Sequence, residues 1–385
     1  MRLFAPSLLL AAAQALLVPP PPGPYSVDVK HIELMDANRI DPFAPEAGTQ
    51  RRFMASVYLP VDVQYGCEPY VVPYMPPLTA NAYGKAGVTL GLPQDMLAKF
   101  EMEFCNISSL TVDVETKKQE FPVAVLSPGL NGSRFLYGAL ARSLASLGYI
   151  IFTVDHTYDA LVVEFPDGSA AYSLTGDLGA NTTLNDPGLE NRIGDMSFVV
   201  SQLSNKTLTN TVFTNFPGTF NPEKVAVYGH SYGGATAANV AQRDCRVIGG
   251  LNFDGTVFGA VNHEGLKGKP FVLVSRDVNS TSVALWDQFY SKVDAAKMEL
   301  EVKGTAHYAF MDLPLLLTMY PLPSSSQAVV AELFGTLDGN KVEQAVNEIM
   351  VGLLELLFNN WTSPLKHVGS NPNVNVLRSD LVMCK

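Results

Sequence analysis

Hydrophobic and polar positions along the chain follow two different periods. Short apolar runs, such as residues 123–126 and 225–228, are typical of strands buried on both faces. Longer stretches with apolar residues three and four positions apart, such as residues 188–203, predict amphipathic helices. Because the two kinds of segment succeed one another from Phe121 onward, the pattern predicts an α/β fold with a mainly parallel central sheet and helices on both faces.

The individual elements follow from the same pattern. Predicted strands cover residues 25–34, 51–60, 123–126, 149–154, 225–228, 247–253, 270–275 and 298–303, and residues 162–165 and 170–174 form a hairpin. Predicted helices cover residues 134–147, 188–203, 235–241, 282–296 and 342–358. The apolar stripe of the last helix favours packing against the core, with contact to a lipid surface as the alternative.

Residues 67–105 differ in character, because five prolines and several tyrosines interrupt the pattern. Proline breaks helices, so we expect no long helix in this segment. Cysteines at both ends, Cys67 and Cys105, indicate an excursion held to the body by a disulfide, which leaves Cys245 to pair with Cys384. The segment is either a cap over a binding site or a structural ornament, and the sequence leaves both interpretations open.

The first residues carry the features of a secretory signal peptide. Arg2 precedes a short apolar run, and Ala13-Gln14-Ala15 offers small residues for cleavage, so residues 1–15 are expected to be removed. Residues 16–24 form a proline-rich spacer, and residues 25–385 are expected to form one domain. Secretion agrees with six N-x-S/T sequons, at Asn106, Asn131, Asn181, Asn205, Asn279 and Asn360.

Composition narrows the functions open to the 385-residue chain. A net charge of −11 argues against nucleic acid as a partner and against strong binding to anionic membranes. The N-terminal apolar run is too short to cross a bilayer, and longer apolar stretches contain charges or proline, so no transmembrane helix is expected. Without a CxxC motif or a Cys/His cluster, we expect no metal and no organic cofactor. Nothing in the sequence indicates an oligomeric state.

The strongest chemical signal is the G-x-S-x-G sequence of residues 229–233. It lies between a predicted buried strand and a helix of small residues, which is the context of a nucleophile elbow in the α/β-hydrolase fold. Such a corner strains the backbone of the central serine and exposes its hydroxyl at a helix N-terminus, where developing negative charge is favoured. Glycines two positions before and after leave room for the corner. Ser231 is therefore the predicted nucleophile.

A serine hydroxyl needs a base to take its proton. In α/β-hydrolases the order along the chain is serine, acid, histidine, so the base follows the elbow and is His263, His307 or His367. His307 comes shortly after the predicted strand 298–303, at the carboxyl end where open α/β sheets keep their sites. We therefore predict that His307 is the base.

Two aspartates are candidates for the acid that orients this histidine. Asp254 directly follows the predicted strand 247–253, and Asp277 comes just after the next one. Both positions hold the acid in different α/β-hydrolases, so spacing alone does not choose between them. A sequon at Asn279 suggests an exposed loop around Asp277, which mildly favours Asp254.

The tetrahedral intermediate of acyl transfer needs two N–H donors for its oxyanion. One is expected from Tyr232, the residue after the nucleophile, and the other from Leu130 in the glycine-containing loop after strand 123–126. A glycan on Asn131 would then crowd the pocket, so we expect none at this sequon. Phe258, shortly after Asp254, is placed where an acyl tunnel would begin, so we expect short acyl groups.

Together these segments resemble the plasma type of the platelet-activating-factor acetylhydrolase family over residues 27–310. The resemblance is carried by Asp41-Pro42-Phe43-Ala44-Pro45, Ser127-Pro128-Gly129-Leu130, Arg134, Tyr137, Leu144-Ala145-Ser146, Gly148-Tyr149, Val154-Asp155-His156, Gly229-His230-Ser231-Tyr232-Gly233-Gly234-Ala235-Thr236, Leu251-Asn252-Phe253-Asp254, Gly304-Thr305-Ala306-His307 and Phe310. Where the family commonly has histidine before the oxyanion-loop glycine, this chain has Pro128. That difference concerns the substrate more than the reaction.

The resemblance implies a calcium-independent serine esterase that removes short or oxidised sn-2 acyl groups from phospholipids. It implies Ser231, Asp254 and His307 as the catalytic triad, with Leu130 and Tyr232 as oxyanion donors. We therefore expect a secreted enzyme that cleaves carboxylic esters through an acyl-serine intermediate. A general short-chain carboxylesterase or polyesterase is the alternative within enzymes, and a catalytically inactive binding protein with a hydrolase fold is the alternative of another class.

Overall fold

A nine-stranded sheet forms the centre of this computed structural model, which describes residues 15–110, 119–174, 185–277 and 286–381. Within those ranges the strands are, in chain order, β1 (Leu16–Leu17), β2 (Tyr25–Ile40), β3 (Gln50–Asp62), β4 (Glu68–Pro73), β5 (Phe100–Asn106), β6 (Gln119–Glu120), β7 (Val123–Ser127), β8 (Ile150–Asp155), β9 (Val162–Glu164), β10 (Ala170–Tyr172), β11 (Gly218–Thr219), β12 (Val225–His230), β13 (Val247–Phe253), β14 (Phe271–Ser275), β15 (Lys297–Val302) and β16 (Val374–Asp380). The α-helices are α1 (Pro77–Thr89), α2 (Gly138–Ser146), α3 (Asn185–Gln202), α4 (Lys206–Val212), α5 (Tyr232–Arg243), α6 (Ala260–Glu264), α7 (Trp286–Lys292), α8 (Leu313–Met319), α9 (Gln327–Phe334), α10 (Gly339–Asn359) and α11 (Ser363–His367).

The central sheet has the order β16-β15-β14-β13-β12-β7-β8-β3-β2. The six strands from β15 to β8 are parallel, whereas β16 at one edge and β3 and β2 at the other run antiparallel to their neighbours. Parallel strands need crossover connections, and the helices that make them cover the sheet. The predicted α/β-hydrolase architecture, with a mainly parallel sheet and helices on both faces, is confirmed.

Each central strand contributes to two hydrophobic cores, one on each face of the sheet. In β7, Ala124 and Leu126 belong to the core that includes α2 and α10, whereas Val123 and Val125 belong to the core that includes α3 and α5. All four side chains are buried. Because neighbouring side chains point to opposite faces, a strand covered on both sides must be apolar throughout, as the sequence pattern indicated.

The first and last strands of the central sheet, β2 and β16, form its two edges. β2 and β3 extend beyond the predicted strands. The edge strand β16 was not predicted, since four of its seven residues are exposed and its pattern is polar. Helix α10 contains the predicted helix 342–358, and Val346, Ile349 and Leu353 in its apolar stripe are buried. The stripe therefore packs in the core, and the alternative of a lipid-contacting face for it is wrong.

Residues 67–105, called the cap segment below, hold β4 and β5 as an antiparallel pair with α1 between them. The expectation that this segment lacks a long helix is wrong. Pro77 is at the start of α1, where proline has no hydrogen bond to lose, and the thirteen-residue helix ends before Pro93. The predicted disulfide between Cys67 and Cys105 is present.

Several expectations concern residues beyond the described ranges. Residues 1–14 of the expected signal peptide, the sequons at Asn181 and Asn279, and Cys384, the expected partner of Cys245, all lie outside them. Among the helices that are described, none has the length and apolar character needed to cross a membrane.

Candidate active site

Ser231 lies at the corner between β12 and α5, as the elbow motif predicted. Its backbone has φ 56° and ψ −122°, a conformation that is strained for any residue with a side chain. A Cβ on Gly229 would come within 2.1 Å of the Gly233 carbonyl oxygen, and one on Gly233 within 1.9 Å of the Ser127 carbonyl oxygen. The motif glycines are therefore required by the close approach of backbone to backbone at this corner.

Three side chains from separate elements form one hydrogen-bonded chain at this corner. The Ser231 Oγ lies 2.9 Å from Nε2 of His307, and the His307 Nδ1 lies 2.5 Å from Oδ2 of Asp254. A carboxylate only accepts hydrogen bonds, so Nδ1 carries the proton and Nε2 accepts from the serine hydroxyl. This is the tautomer in which an imidazole can act as a base toward serine.

The structure brings Asp254 rather than Asp277 to the histidine. The Asp254 side chain is almost fully buried at the end of β13, and its backbone has a φ of 50°. Asp277 is exposed, and its Oδ2 accepts from the backbone N–H of Gly304 instead. The Nη1 of Arg276 also lies 2.9 Å from the Asp254 Oδ2, a partner that sequence reasoning missed because no motif surrounds it.

The other two candidate histidines bond residues outside the catalytic chain of Ser231, His307 and Asp254. The exposed His263 bonds Gln288, and His367 bonds Ser363 in α11.

Asn131 is buried and has a φ of 58°, a left-handed conformation that asparagine tolerates better than most residues. Its burial agrees with the expectation that this sequon carries no glycan.

His230, the second residue of the elbow motif, holds the backbone of His307 through its side chain. Its Nε2 lies 2.7 Å from the His307 carbonyl oxygen, and its Nδ1 lies 2.9 Å from the Tyr137 hydroxyl. Burial lowers the pKa of His230 well below its ordinary value, so the ring is neutral. Nε2 must then donate to the carbonyl, and the Tyr137 hydroxyl donates to Nδ1 while accepting from the Gly129 N–H. Sequence reasoning assigned no role to either side chain.

The loop after β7 presents Leu130 to the site. Three of its amides already have acceptors: Gly129 donates to Tyr137, Asn131 to Asp159 and Gly132 to the Gly129 carbonyl. No acceptor within the described residues is found for the Leu130 N–H. The amide of Tyr232 belongs to the first turn of α5, next to the nucleophile.

An apolar cavity of about 280 Å³ opens beside Ser231 and His307. One wall is formed by the cap segment, and the opposite wall by the body of the protein. The cap side includes Tyr83, Leu90 and Met96, and the body side includes Leu136, Met311 and Phe334. The cap segment is therefore a wall of the cavity, which favours the cap interpretation over the ornament.

Phe258 does not close this cavity. Its ring stacks on Tyr232 with centroids 5.4 Å apart, and it is not among the residues that line the cavity. The reason offered for a short acyl pocket from the position of Phe258 is therefore wrong. Chain position alone could not reveal on which side of the nucleophile this ring packs.

Comparisons with known proteins agree with the geometry. The family model described as "Platelet-activating factor acetylhydrolase, isoform II" matches residues 95–170 and 195–360. A protein of Arthroderma benhamiae named "Probable 1-alkyl-2-acetylglycerophosphocholine esterase" is 26% identical over 340 residues, covering 82% of this chain and 81% of its own. The platelet-activating factor acetylhydrolase of Cavia porcellus is 29% identical over 216 residues, about half of each chain.

Among solved structures, a ferulic acid esterase from Streptomyces cinnamoneus superposes with a TM-score of 0.75 and 26% identity. The match covers 95% of this chain and 100% of that one. The family match spans more than half of the chain and includes all three members of the hydrogen-bonded Ser231, His307 and Asp254 chain. The chain therefore belongs to the platelet-activating factor acetylhydrolase, isoform II family and is a serine ester hydrolase with an α/β-hydrolase fold.

Proposed function

We propose that this protein hydrolyses short sn-2 acyl esters of phospholipids that resemble platelet-activating factor. The observation that carries the proposal is the Ser231, His307 and Asp254 chain at the mouth of an apolar cavity. A hydrogen-bonded hydroxyl, imidazole and carboxylate supply a nucleophile, its base and the group that orients the base. The apolar walls suit the hydrocarbon part of a lipid ester.

In the proposed reaction, His307 takes the proton of Ser231 as the hydroxyl attacks the ester carbonyl. The ester C–O bond then breaks, and His307 gives the proton to the departing alcohol. A water molecule, deprotonated in turn by His307, attacks the acyl-serine. The bond between the acyl carbon and the Ser231 Oγ then breaks, His307 returns the proton to Oγ, and the carboxylic acid is released. Asp254 keeps His307 in the required tautomer and stabilises its cation while the proton is held.

The N–H groups of Leu130 and Tyr232 are the proposed donors to the oxyanion. Both belong to backbone beside Ser231, one in the loop after β7 and one in the first turn of α5. Donors held in place by the fold need no reorganisation when charge develops on the carbonyl oxygen. The N-terminus of α5 adds a favourable dipole for that charge.

The proposed acyl group is short, and the cavity holds the long alkyl chain of the alcohol. The relatives support an acetyl group through the names that they carry, one of which specifies a 1-alkyl-2-acetyl substrate. A cavity lined by both the cap segment and the body offers more apolar surface than an acetyl group needs.

We further propose that the enzyme is secreted and that residues 25–385 form one domain. Secretion agrees with the Cys67–Cys105 disulfide.

The test combines active-site labelling with a substrate panel. A fluorophosphonate probe should label the wild-type protein and leave Ser231→Ala unlabelled. With p-nitrophenyl esters, turnover should be highest at two to four acyl carbons and fall about tenfold or more by eight. The enzyme should also release acetate from a 1-alkyl-2-acetyl phospholipid. A maximum at eight carbons or more would contradict the short acyl group.

A second candidate is an esterase for aryl or other non-lipid esters. It is favoured by the structural likeness to the ferulic acid esterase and by the three tyrosines that line the cavity, Tyr83, Tyr137 and Tyr308. Turnover of methyl ferulate together with no release of acetate from the phospholipid would replace the first candidate by this one.

A further inference from the structure

We propose that Arg192 is a positioning residue that holds and polarises the peptide group carrying the Leu130 N–H. The inference rests on the proposed function, because it concerns one of the two oxyanion donors. Arg192 belongs to α3, is 1% exposed and does not line the cavity. Its guanidinium therefore acts on the substrate only through the backbone that it contacts.

The contacts of Arg192 converge on the loop after β7. Nη1 lies 2.6 Å from the Pro128 carbonyl oxygen, and Nη2 lies 3.0 Å from the Gly129 carbonyl oxygen. The Gly129 carbonyl and the Leu130 N–H belong to the same peptide group. A trans peptide is planar, so its C=O and N–H point in opposite directions. With the carbonyl held toward Arg192, the Leu130 N–H must face away from it.

A rotation of this peptide by half a turn would remove the oxyanion donor. Two neighbouring contacts oppose such a rotation, since Arg192 also bonds the preceding carbonyl and Asp159 accepts from the following amide, that of Asn131, at 3.1 Å. Asp159 is itself paired with Arg192 through Nε at 2.8 Å and Nη2 at 2.5 Å. The ion pair thus holds peptide groups on both sides of the Leu130 N–H.

The charge of Arg192 adds to this geometric effect. A hydrogen bond from a cation draws electron density toward the carbonyl oxygen, and the N–H of the same amide becomes a stronger donor. The guanidinium carbon also lies 4.5 Å from the centre of the Tyr232 ring, on the residue that carries the other proposed donor. One buried cation therefore contacts both segments of the proposed oxyanion hole.

Arg142 offers a matched control elsewhere in the molecule. It is also a buried arginine, 2% exposed, and its guanidinium donates to the backbone carbonyls of Val18, Pro19 and Glu103. None of these groups lines the cavity. Replacing either arginine by lysine keeps the positive charge but loses the planar set of donors. A purely structural role predicts the same phenotype for both variants.

The experiment compares Arg192→Lys and Arg142→Lys with the wild type. For Arg192→Lys, we expect kcat on p-nitrophenyl acetate to fall about 10- to 100-fold, somewhat less than for outright removal of an oxyanion donor. KM should change by less than about threefold. The Ki of a trifluoromethyl ketone, whose hydrated or serine-bound form carries the oxyanion, should rise by the factor lost in kcat/KM. Arg142→Lys should lose stability and keep kcat within about twofold.

Three results would overturn the role of Arg192. They are a kcat for Arg192→Lys within about twofold of wild type, a fall in kcat without a matching rise in Ki, and an equal fall in Arg142→Lys. If Arg192→Lys does not fold, the double variant Arg192→Met/Asp159→Asn removes both charges and the same criteria apply to it. If the wild type hydrolyses no ester faster than Ser231→Ala, the proposed function itself fails, and the inference fails with it.

Discussion

Asp254 is shared between two partners at the level of single residues. The Oδ2 of this buried carboxylate accepts from His307 and from Arg276, and its Oδ1 accepts from the Arg276 backbone N–H at 3.3 Å. A carboxylate with several donors is fixed in orientation, and the orientation passes to the histidine that it bonds. Ser231 and Asp254 both adopt positive φ, so strained backbone is concentrated at the two ends of the hydrogen-bonded chain.

The role of the acid can be tested by comparing the two aspartates that the sequence offered. Asp254→Asn should lower kcat about 10⁴-fold, because the amide stabilises the wrong histidine tautomer. Asp277→Asn should leave kcat within about threefold of wild type, since Asp277 is exposed and contacts the Gly304 N–H rather than His307. Steady-state kinetics on p-nitrophenyl acetate measures both. A large loss in Asp277→Asn with a small one in Asp254→Asn would reverse the assignment.

At the level of elements, the cap segment is attached to the body at several separate points. Near the start of α1, the Thr79 N–H and hydroxyl each bond Glu164 at 2.7 Å. Further along the helix, the Tyr83 hydroxyl donates to the Asn131 carbonyl at 2.6 Å, and so reaches the loop that carries Leu130. The Tyr74 hydroxyl bonds the buried Asp312 at 2.8 Å. A wall held at these points keeps its distance from Ser231.

Gly87 gives a direct test of what the cavity binds. Among the described residues outside its own helix, a Cβ here would meet the Leu92 side chain, at 3.5 Å, so a larger side chain can enter the cavity without striking their backbone. Gly87→Leu should raise KM for a 1-alkyl-2-acetyl phospholipid about tenfold or more. The leucine side chain would exclude methylene groups of the alkyl chain from the cavity, and each buried methylene group contributes about 0.8 kcal/mol. KM for p-nitrophenyl acetate should change little.

Two further glycine variants serve as controls for Gly87→Leu. Gly87→Ala adds a single methyl group and should behave nearly as wild type on both substrates. Gly84→Ala should destabilise the fold, since its Cβ would lie 1.9 Å from the Gln94 carbonyl oxygen. If Gly87→Leu instead altered only the acyl-length profile on p-nitrophenyl esters, the cavity would be the acyl site.

The Cys67–Cys105 disulfide should stabilise the molecule mainly by restricting the unfolded chain. The bond closes a loop with a sequence separation of 38. In the chain-entropy model, the double variant Cys67→Ala/Cys105→Ala lowers the free energy of unfolding by about 3–4 kcal/mol. Urea unfolding of the variant and of the oxidised wild type measures the difference. A loss below about 1 kcal/mol would show that the unfolded chain is restricted by other means.

At the level of the whole molecule, buried titratable groups link stability to pH in opposite directions. Burial lowers the pKa of His156 to about 4 and that of His230 well below its ordinary value, so both rings are neutral in the folded protein. Burial raises the pKa of Asp312 to about 7, against the opposing effect of hydrogen bonds from Ala139, Leu140 and Tyr74. The two histidines therefore favour the fold at higher pH, and Asp312 favours it at lower pH.

The sign of each effect follows from proton uptake on unfolding. Below about pH 6.5 an unfolded histidine takes up a proton that the folded one does not, so the free energy of unfolding falls with pH by about 1.4 kcal/mol per unit for each ring. Unfolded Asp312 releases a proton above about pH 4 that the folded carboxyl keeps up to about 7, which gives the opposite slope. Burial also lowers the pKa of His31, to about 3, which adds to the effect of the two histidines, and it raises the pKa of the Asp28, Glu299 and Glu343 carboxyls, which adds to the effect of Asp312.

We therefore expect Asp312→Asn to lose more stability than the wild type as the pH falls from 6.5 to 5. Removing the Asp312 carboxyl should make the slope of the free energy of unfolding against pH more positive by about 1.4 kcal/mol per pH unit. Urea unfolding at four pH values in this range measures the two slopes. Equal slopes for wild type and Asp312→Asn would mean that Asp312 is ionised in the folded protein throughout.

Local sequence determined the features that depend on neighbours along the chain. Apolar runs predicted the parallel strands because a strand covered on both faces has no polar side to show. The glycines around Ser231 predicted the elbow because a Cβ would strike backbone there. A histidine shortly after a strand predicted the place of His307, since the carboxyl ends of parallel strands meet at one edge of the sheet.

The tertiary structure decided which distant groups meet. Asp254 and Asp277 occupy equivalent places after adjacent strands, and only the fold brings Asp254 to His307, 53 residues away. Arg192 bonds the Gly129 carbonyl across 63 residues, and no local pattern marks that contact. Prolines in the cap segment suggested that no long helix forms, yet the thirteen-residue α1 begins at Pro77 and lines the cavity. The local sequence reflects burial, through its periodicity, and backbone strain, through its glycines. The pairing of remote polar groups depends instead on how the packed elements are placed in space.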